Sequence, residues 1–133
     1  MNYGASVTLQ APFADAVARV REALAAQGFG VLTEIDVAAT MRARLGEQME
    51  DYVILGACNP PFAHQALGID RSIGLLLPCN IVVRAAAEGT VVEALDRAGF
   101  KIIASGLQQC GLDGNGNGDA DRAQLERLFL SLA

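Results

Sequence analysis

The apolar spacing changes once in the first two dozen residues, and that change constrains the fold more than any other feature. Ala5, Val7 and Leu9 alternate with Ser6, Thr8 and Gln10. Period two predicts a half-buried strand over residues 3–10. From Phe13 the period lengthens: Phe13, Val17, Val20 and Leu24 fall on one helical face, with Arg19, Arg21 and Glu22 elsewhere. Pro12 suits the first turn of that helix, and Gly28 suits its stop. A strand followed at once by an amphipathic helix must bury one face of each against the other.

The rest of the chain repeats the theme in shorter pieces. Val31, Thr33, Ile35 and Val37 predict a second strand with those four on one side. Asp36 is placed to cap a short helix running to about Leu45, stopped by Gly46. Residues 52–58 predict a third strand, with Tyr52, Ile54, Gly56 and Cys58 sharing a face. Pro60 and Pro61 open a short helix carrying His64 and Leu67, ended by Gly68. Residues 75–83 form the most apolar stretch and predict a strand, in which Leu75, Leu77, Cys79 and Ile81 share a face. Pro78 inside it marks a bulge or an edge, because proline cannot donate to a ladder. Glu88 and Gly89 turn that strand into a hairpin with residues 90–95. A short helical segment over 100–107, a Gly/Asn-rich loop over 111–118 and a closing helix with Leu125, Leu128, Phe129 and Leu132 complete the order.

This order predicts an α+β domain of β-α-β(4)-α type, a mainly antiparallel sheet with helices packed on one face. The 133 residues fit a single domain, and a hydrophobic fraction of 52% supplies a core. A net charge of -5 with one lysine, Lys101, argues against a phosphate-binding surface, so nucleic acid and anionic membrane are not expected partners. No apolar run approaches the ~18 residues of a membrane span. There is no basic, apolar leader, and three cysteines do not make a paired framework. A reducing cytoplasm is the expected location.

Chemistry concentrates in two Cys-Asn dipeptides, Cys58-Asn59 and Cys79-Asn80, with the only histidine, His64, between them. Two thiols and an imidazole suit zinc or copper, or axial ligation of haem. The spacing matches no standard zinc module. Cys58 and Cys79 could instead form a reversible redox pair if their Cα atoms approach within ~7 Å. All five residues could also be only structural, since cysteine often simply packs and asparagine often caps a turn. A second candidate lies in the tail. Asp113, Asn115, Asn117, Asp119 and Asp121 place oxygen ligands almost as a calcium loop does, with Gly118 at the turn. Gln124 stands where the bidentate glutamate belongs, so any calcium binding there is expected to be weak. No phosphate loop, GxSxG or HExxH is present, and a conventional enzyme finds no support.

The segments YVILGACNPPFAHQAL at 52–67 and IGLLLPCNIVV at 73–83 resemble the hallmark stretches of the bacterial and archaeal domain-of-unknown-function 302 family. The resemblance extends over about 3–96, roughly three quarters of the chain. It implies a small α+β domain related to the TATA-binding-protein-like fold, and a second copy of the chain as partner. It implies no activity. Residues 97–133 depart from the family pattern by inserting the loop at 111–118. Three readings follow: a homodimeric module holding a metal, haem or small apolar ligand near Cys58, Asn59, His64, Cys79 and Asn80; a thiol-based protein using Cys58 and Cys79; and a structural or interaction domain.

Overall fold

The computed structural model describes residues 4–95. In chain order these are β1 (Gly4–Leu9), α1 (Phe13–Ala26), β2 (Gly30–Asp36), α2 (Val37–Leu45), β3 (Tyr52–Cys58), α3 (Pro60–Ile69), a 3-10 turn (Arg71–Leu76), β4 (Cys79–Ala86) and β5 (Gly89–Leu95). The five strands form one open sheet in the order β1-β5-β4-β3-β2, and every neighbouring pair is antiparallel. The α+β class follows. The short helical segment at 100–107, the loop at 111–118 with its calcium candidates, and the closing helix lie outside the described residues.

The topology sets the path of α1. Its strands of entry and exit, β1 and β2, are the two edges of the sheet. Four interstrand spacings of about 4.8 Å separate them, roughly 19 Å. The four antiparallel ladders leave β1 and β2 parallel, so α1, whose 14 residues rise about 21 Å, returns over one face from the end of β1 toward the start of β2. It therefore packs on β2, β4 and β5 alike. Its buried positions are Ala16, Val20 and Leu24. The expected stripe through Phe13 and Val17 is rotated: those two lie half-buried against the core, and Ala16 is the fully buried position beside Val20 and Leu24. A helix this near a sheet tolerates only a small side chain at its contact line.

Leu9, Val53, Leu55, Ala57, Ile81, Val83, Val92 and Ala94 supply the sheet side of this core. The α1 stop is a Schellman motif. Gly28, at φ 83°, donates to the Ala25 carbonyl at 3.1 Å, and Phe29 donates to the Leu24 carbonyl at 2.9 Å. Phe29 and Leu24 then join the same core cluster.

Two expected strands begin or break differently. In β2 the register shifts between Val31 and Thr33. Val31 pairs with Ala57 on the core side, whereas Thr33 and Ile35 pair with Gly56 and Ile54 on the other. A bulge at Leu32 therefore divides the face expected to hold Val31, Thr33 and Ile35, and Val37 is already helical. The stretch 75–83 is not one strand. Asp70 accepts from the Ser72 N–H at 2.9 Å and opens the 3-10 turn, so β4 begins only at Cys79. Pro78 ends up just ahead of a central strand rather than within one. A run of leucines is apolar in any phase, so periodicity could not place that boundary.

Asp36 does cap α2, accepting from the Ala39 N–H at 2.9 Å, while the Thr40 hydroxyl donates to the Asp36 carbonyl at 2.7 Å. Asp36→Ala is expected to lower the unfolding free energy by about 1 kcal/mol. A urea midpoint displaced downward at unchanged slope would report it, and no displacement would mean the cap is idle.

Candidate functional site

The sheet has two unlike faces. Toward α1, Leu55, Ile81, Val83 and Val92 are inaccessible to solvent. On the second face every described side chain is half-buried or exposed. The ladders set Ile35, Ile54 and Val82 side by side across β2, β3 and β4 as one apolar row. Glu93 and Ser6 extend that row across β5 and β1. The neighbouring row carries Tyr52, Arg84, Val91 and Thr8. Arg84 Nε donates to Glu93 Oε1 at 2.7 Å, joining the two rows diagonally. Both partners are about one-third exposed, so the pair orders the face more than it stabilises the fold.

The Cys-Asn residues distribute around the Cys58 end of β3. Cys79 pairs with Ala57 and Asn80 with Gly56. Paired residues share a face, so Cys79 points to the α1 side, where it packs against the core. Cys58 is the residue after Ala57 and pairs with Gly30 on the other side of its strand. Alternation turns its side chain to the second face, together with Asn80. The sheet itself thus stands between the two thiols. A disulfide needs Cβ atoms about 3.8 Å apart and convergent, which opposite faces of a pleat do not provide. Asn59 ends β3, its carbonyl accepting the first helical bond from Ala63 N–H at 3.0 Å. His64 sits exposed on α3, which packs chiefly on the 3-10 turn. Among the described residues no three of histidine, cysteine, aspartate and glutamate converge closely enough to hold a metal ion.

Burial raises the Cys58 thiol above the ordinary value of 9.0. Its neutral form is favoured, the reverse of what a nucleophilic thiolate requires. Beside it is a contact that sequence reasoning missed. A methyl group at Gly56 would overlap the Thr33 hydroxyl and lie 2.8 Å from Pro78 Cγ. Gly56 is the only buried residue of the second face among the described residues, and Thr33 and Pro78 roof it. This is a packing role for the glycine and proline of the two hallmark segments. Only the cross-strand register reveals it.

None of the described helices is long and apolar enough to cross a membrane. No curated protein matches the chain. A crystal structure of an uncharacterized conserved DUF302 protein from Bacillus stearothermophilus is similar over 100% of both chains, with a TM-score of 0.80 and 20% identity. That likeness bears on the fold. The family model described as domain of unknown function DUF302 matches residues 5–109, past the end of β5 and across every strand described above. The chain belongs to that family.

Proposed function

We propose that this chain is a non-enzymatic binding module whose working surface is the second face of its sheet. The observation that carries the reading is the row Ile35, Ile54 and Val82, which runs from the β2 edge to the central strand β4, exposed at Ile35 and half-buried at the other two, and is flanked by the Arg84–Glu93 pair. An apolar centre with an ordered charged border is the composition of a recognition surface. A sheet face is broad, which suits a partner surface or a flat apolar ligand better than an enclosed small molecule. Cys58, Asn80 and Thr33 form one rim of it. The metal, haem and thiol readings draw less support, since Cys79 is on the far side of the sheet and the Cys58 thiol is pushed up.

The test has three arms. Purified protein offered zinc, copper and haem is expected to show no stoichiometric uptake by native mass spectrometry. A fluorescent hydrophobic dye is expected to bind, and Val82→Lys to abolish that binding with the fold retained. Thiol alkylation at Cys58 is expected to reach half its limiting rate above pH 9.0. The folded protein holds the Cys58 proton more tightly than the unfolded chain, so this contribution to stability is complete below the ordinary pKa and is lost as pH rises through the folded one. Stoichiometric metal lost in Cys58→Ser would replace this reading with a metal module. A Cys58 half-point below 9.0 would favour thiol chemistry.

A further inference from the structure

Residues 59–78 leave the sheet at the end of β3 and return at the start of β4, and they pack as a unit of their own. α3 rests chiefly on the 3-10 turn, where Leu67 Cδ2 stands 3.9 Å from the position a methyl on Gly74 would take. Ala63 is buried in α3 yet stands apart from the core cluster under α1. The same unit leaves Ile69 exposed at 45% and Leu75 at 89%, the highest value among the exposed large apolar side chains described.

The return path of this unit lies over the second face. The register would set Pro78 opposite Cys58, one residue before the first residue of β4. Its ring instead lies over Gly56, the partner of Asn80. A proline ring is too short to bridge that diagonal, about 7 Å, from an extended chain. The chain bends at Pro78 and comes back above the second face, toward the row of Ile54 and Val82. That row is two residues beyond Gly56 along β3, roughly 7 Å. Leu75 is three residues from Pro78, and three residues of chain span up to about 10 Å. Rotation of the unit about its two ends brings Leu75 over the row without disturbing the ladders.

Charge says what fits between them. From Pro60 to Pro78, apart from the exposed His64, the ionisable side chains are Asp70 and Arg71, adjacent and opposite in sign. Arg84 and Glu93, the described charges of the face, pair with each other. Both walls are apolar and without net charge, so an ionic ligand would be desolvated there with no counter-charge. We propose that the second face takes a flat, uncharged, apolar small molecule, and that α3 with the 3-10 turn closes over it, Leu75 and Ile69 forming the wall opposite Ile54 and Val82. This rests on the binding-module reading and names the ligand class for its face. Two walls bury both flat surfaces of such a ligand, where the open face alone buries one.

Nile red, flat and uncharged, is the probe. The unmodified chain is expected to bind it, with hydrogen exchange slowed at residues 69–76 as well as in β3 and β4. Leu75→Ser is expected to weaken binding about tenfold. It is expected to leave the thermal midpoint of the free protein unchanged, since Leu75 is exposed there. Leu45→Ser, which alters an exposed leucine on α2, is expected to change neither. Exchange that slows in β3 and β4 alone, or binding indifferent to Leu75→Ser, overturns the proposal. If Val82→Lys still abolishes binding in that case, the binding-module reading stands while this one fails. Binding that ignores Val82→Lys, or no binding at all, removes both.

Discussion

Leu55→Ala is expected to lower the unfolding free energy by about 3–4 kcal/mol, the larger of two effects that measure how this fold is held together. Leu55 is wholly inaccessible and occupies the middle of β3. Ile81 faces it from β4, and Val53 and Ala57 flank it on the same side of the strand. Truncation removes the transfer free energy of three carbons and also leaves a void. Ladders on both sides of β3 fix the backbone, so the walls cannot close in. Equilibrium urea unfolding followed by far-ultraviolet dichroism measures the loss. A change under about 1 kcal/mol would mean that the site relaxes, and that the core around β3 is looser than its burial implies.

Gly89→Ala is expected to destabilise by roughly 3 kcal/mol, lowering the thermal midpoint by on the order of 10 °C. Two independent terms act. Gly89 has φ 139°, a backbone region that an alanine side chain resists. An added methyl would also run into the Leu9 carbonyl oxygen, with the carbonyl carbon 3.4 Å away. The obstacle is backbone rather than a side-chain tip. Leu9 pairs with Thr90 in the β1–β5 ladder, and the Thr90 hydroxyl donates to the Ala11 carbonyl at 2.9 Å just beyond. Neither chain can step aside without opening the edge of the sheet. Gly68→Ala is the contrast. It is in helix α3, where nothing lies within 4 Å of the added methyl. That substitution is expected to be neutral or to stabilise by up to about 1 kcal/mol. Scanning calorimetry of the two variants separates backbone strain from a general intolerance of glycine replacement. Equal losses would contradict the explanation.

The elements that could be read from the sequence were those with local causes. Pro12 and Gly28 bound α1, Asp36 caps α2, and Glu88 with Gly89 turns β4 into β5, because each effect acts within a turn or two of chain. The alternation of Tyr52, Ile54, Gly56 and Cys58 also holds, since β3 is regular and paired on both sides. The misplaced features depend on neighbours distant in sequence. The bulge at Leu32 exists only relative to β3. The start of β4 at Cys79 depends on a capped 3-10 turn that competes with extension of the leucine run.

The candidate site divides along the same line. Its members could be picked out as Cys58, Asn59, His64, Cys79 and Asn80, because unusual residue types cluster in two recognisable segments, and those segments also carry the family. Their mutual geometry could not. Which thiol faces the core depends on pairing Ala57 with Cys79, and a shift of one residue would exchange the faces of every side chain on the strand. Thr33 and Pro78 could be read from the sequence only as a strand residue and a ladder breaker, and the ladder is what brings both over Gly56. Period, caps and turns are written along the chain, so the sequence alone determined the α+β class, most element positions and the family segments. Register and burial arise between strands far apart in the chain. They alone decided that Cys58 and Cys79 lie on opposite faces, that Ile35, Ile54 and Val82 line up on the accessible one, and that the β2–α2 corner is left with nothing buried.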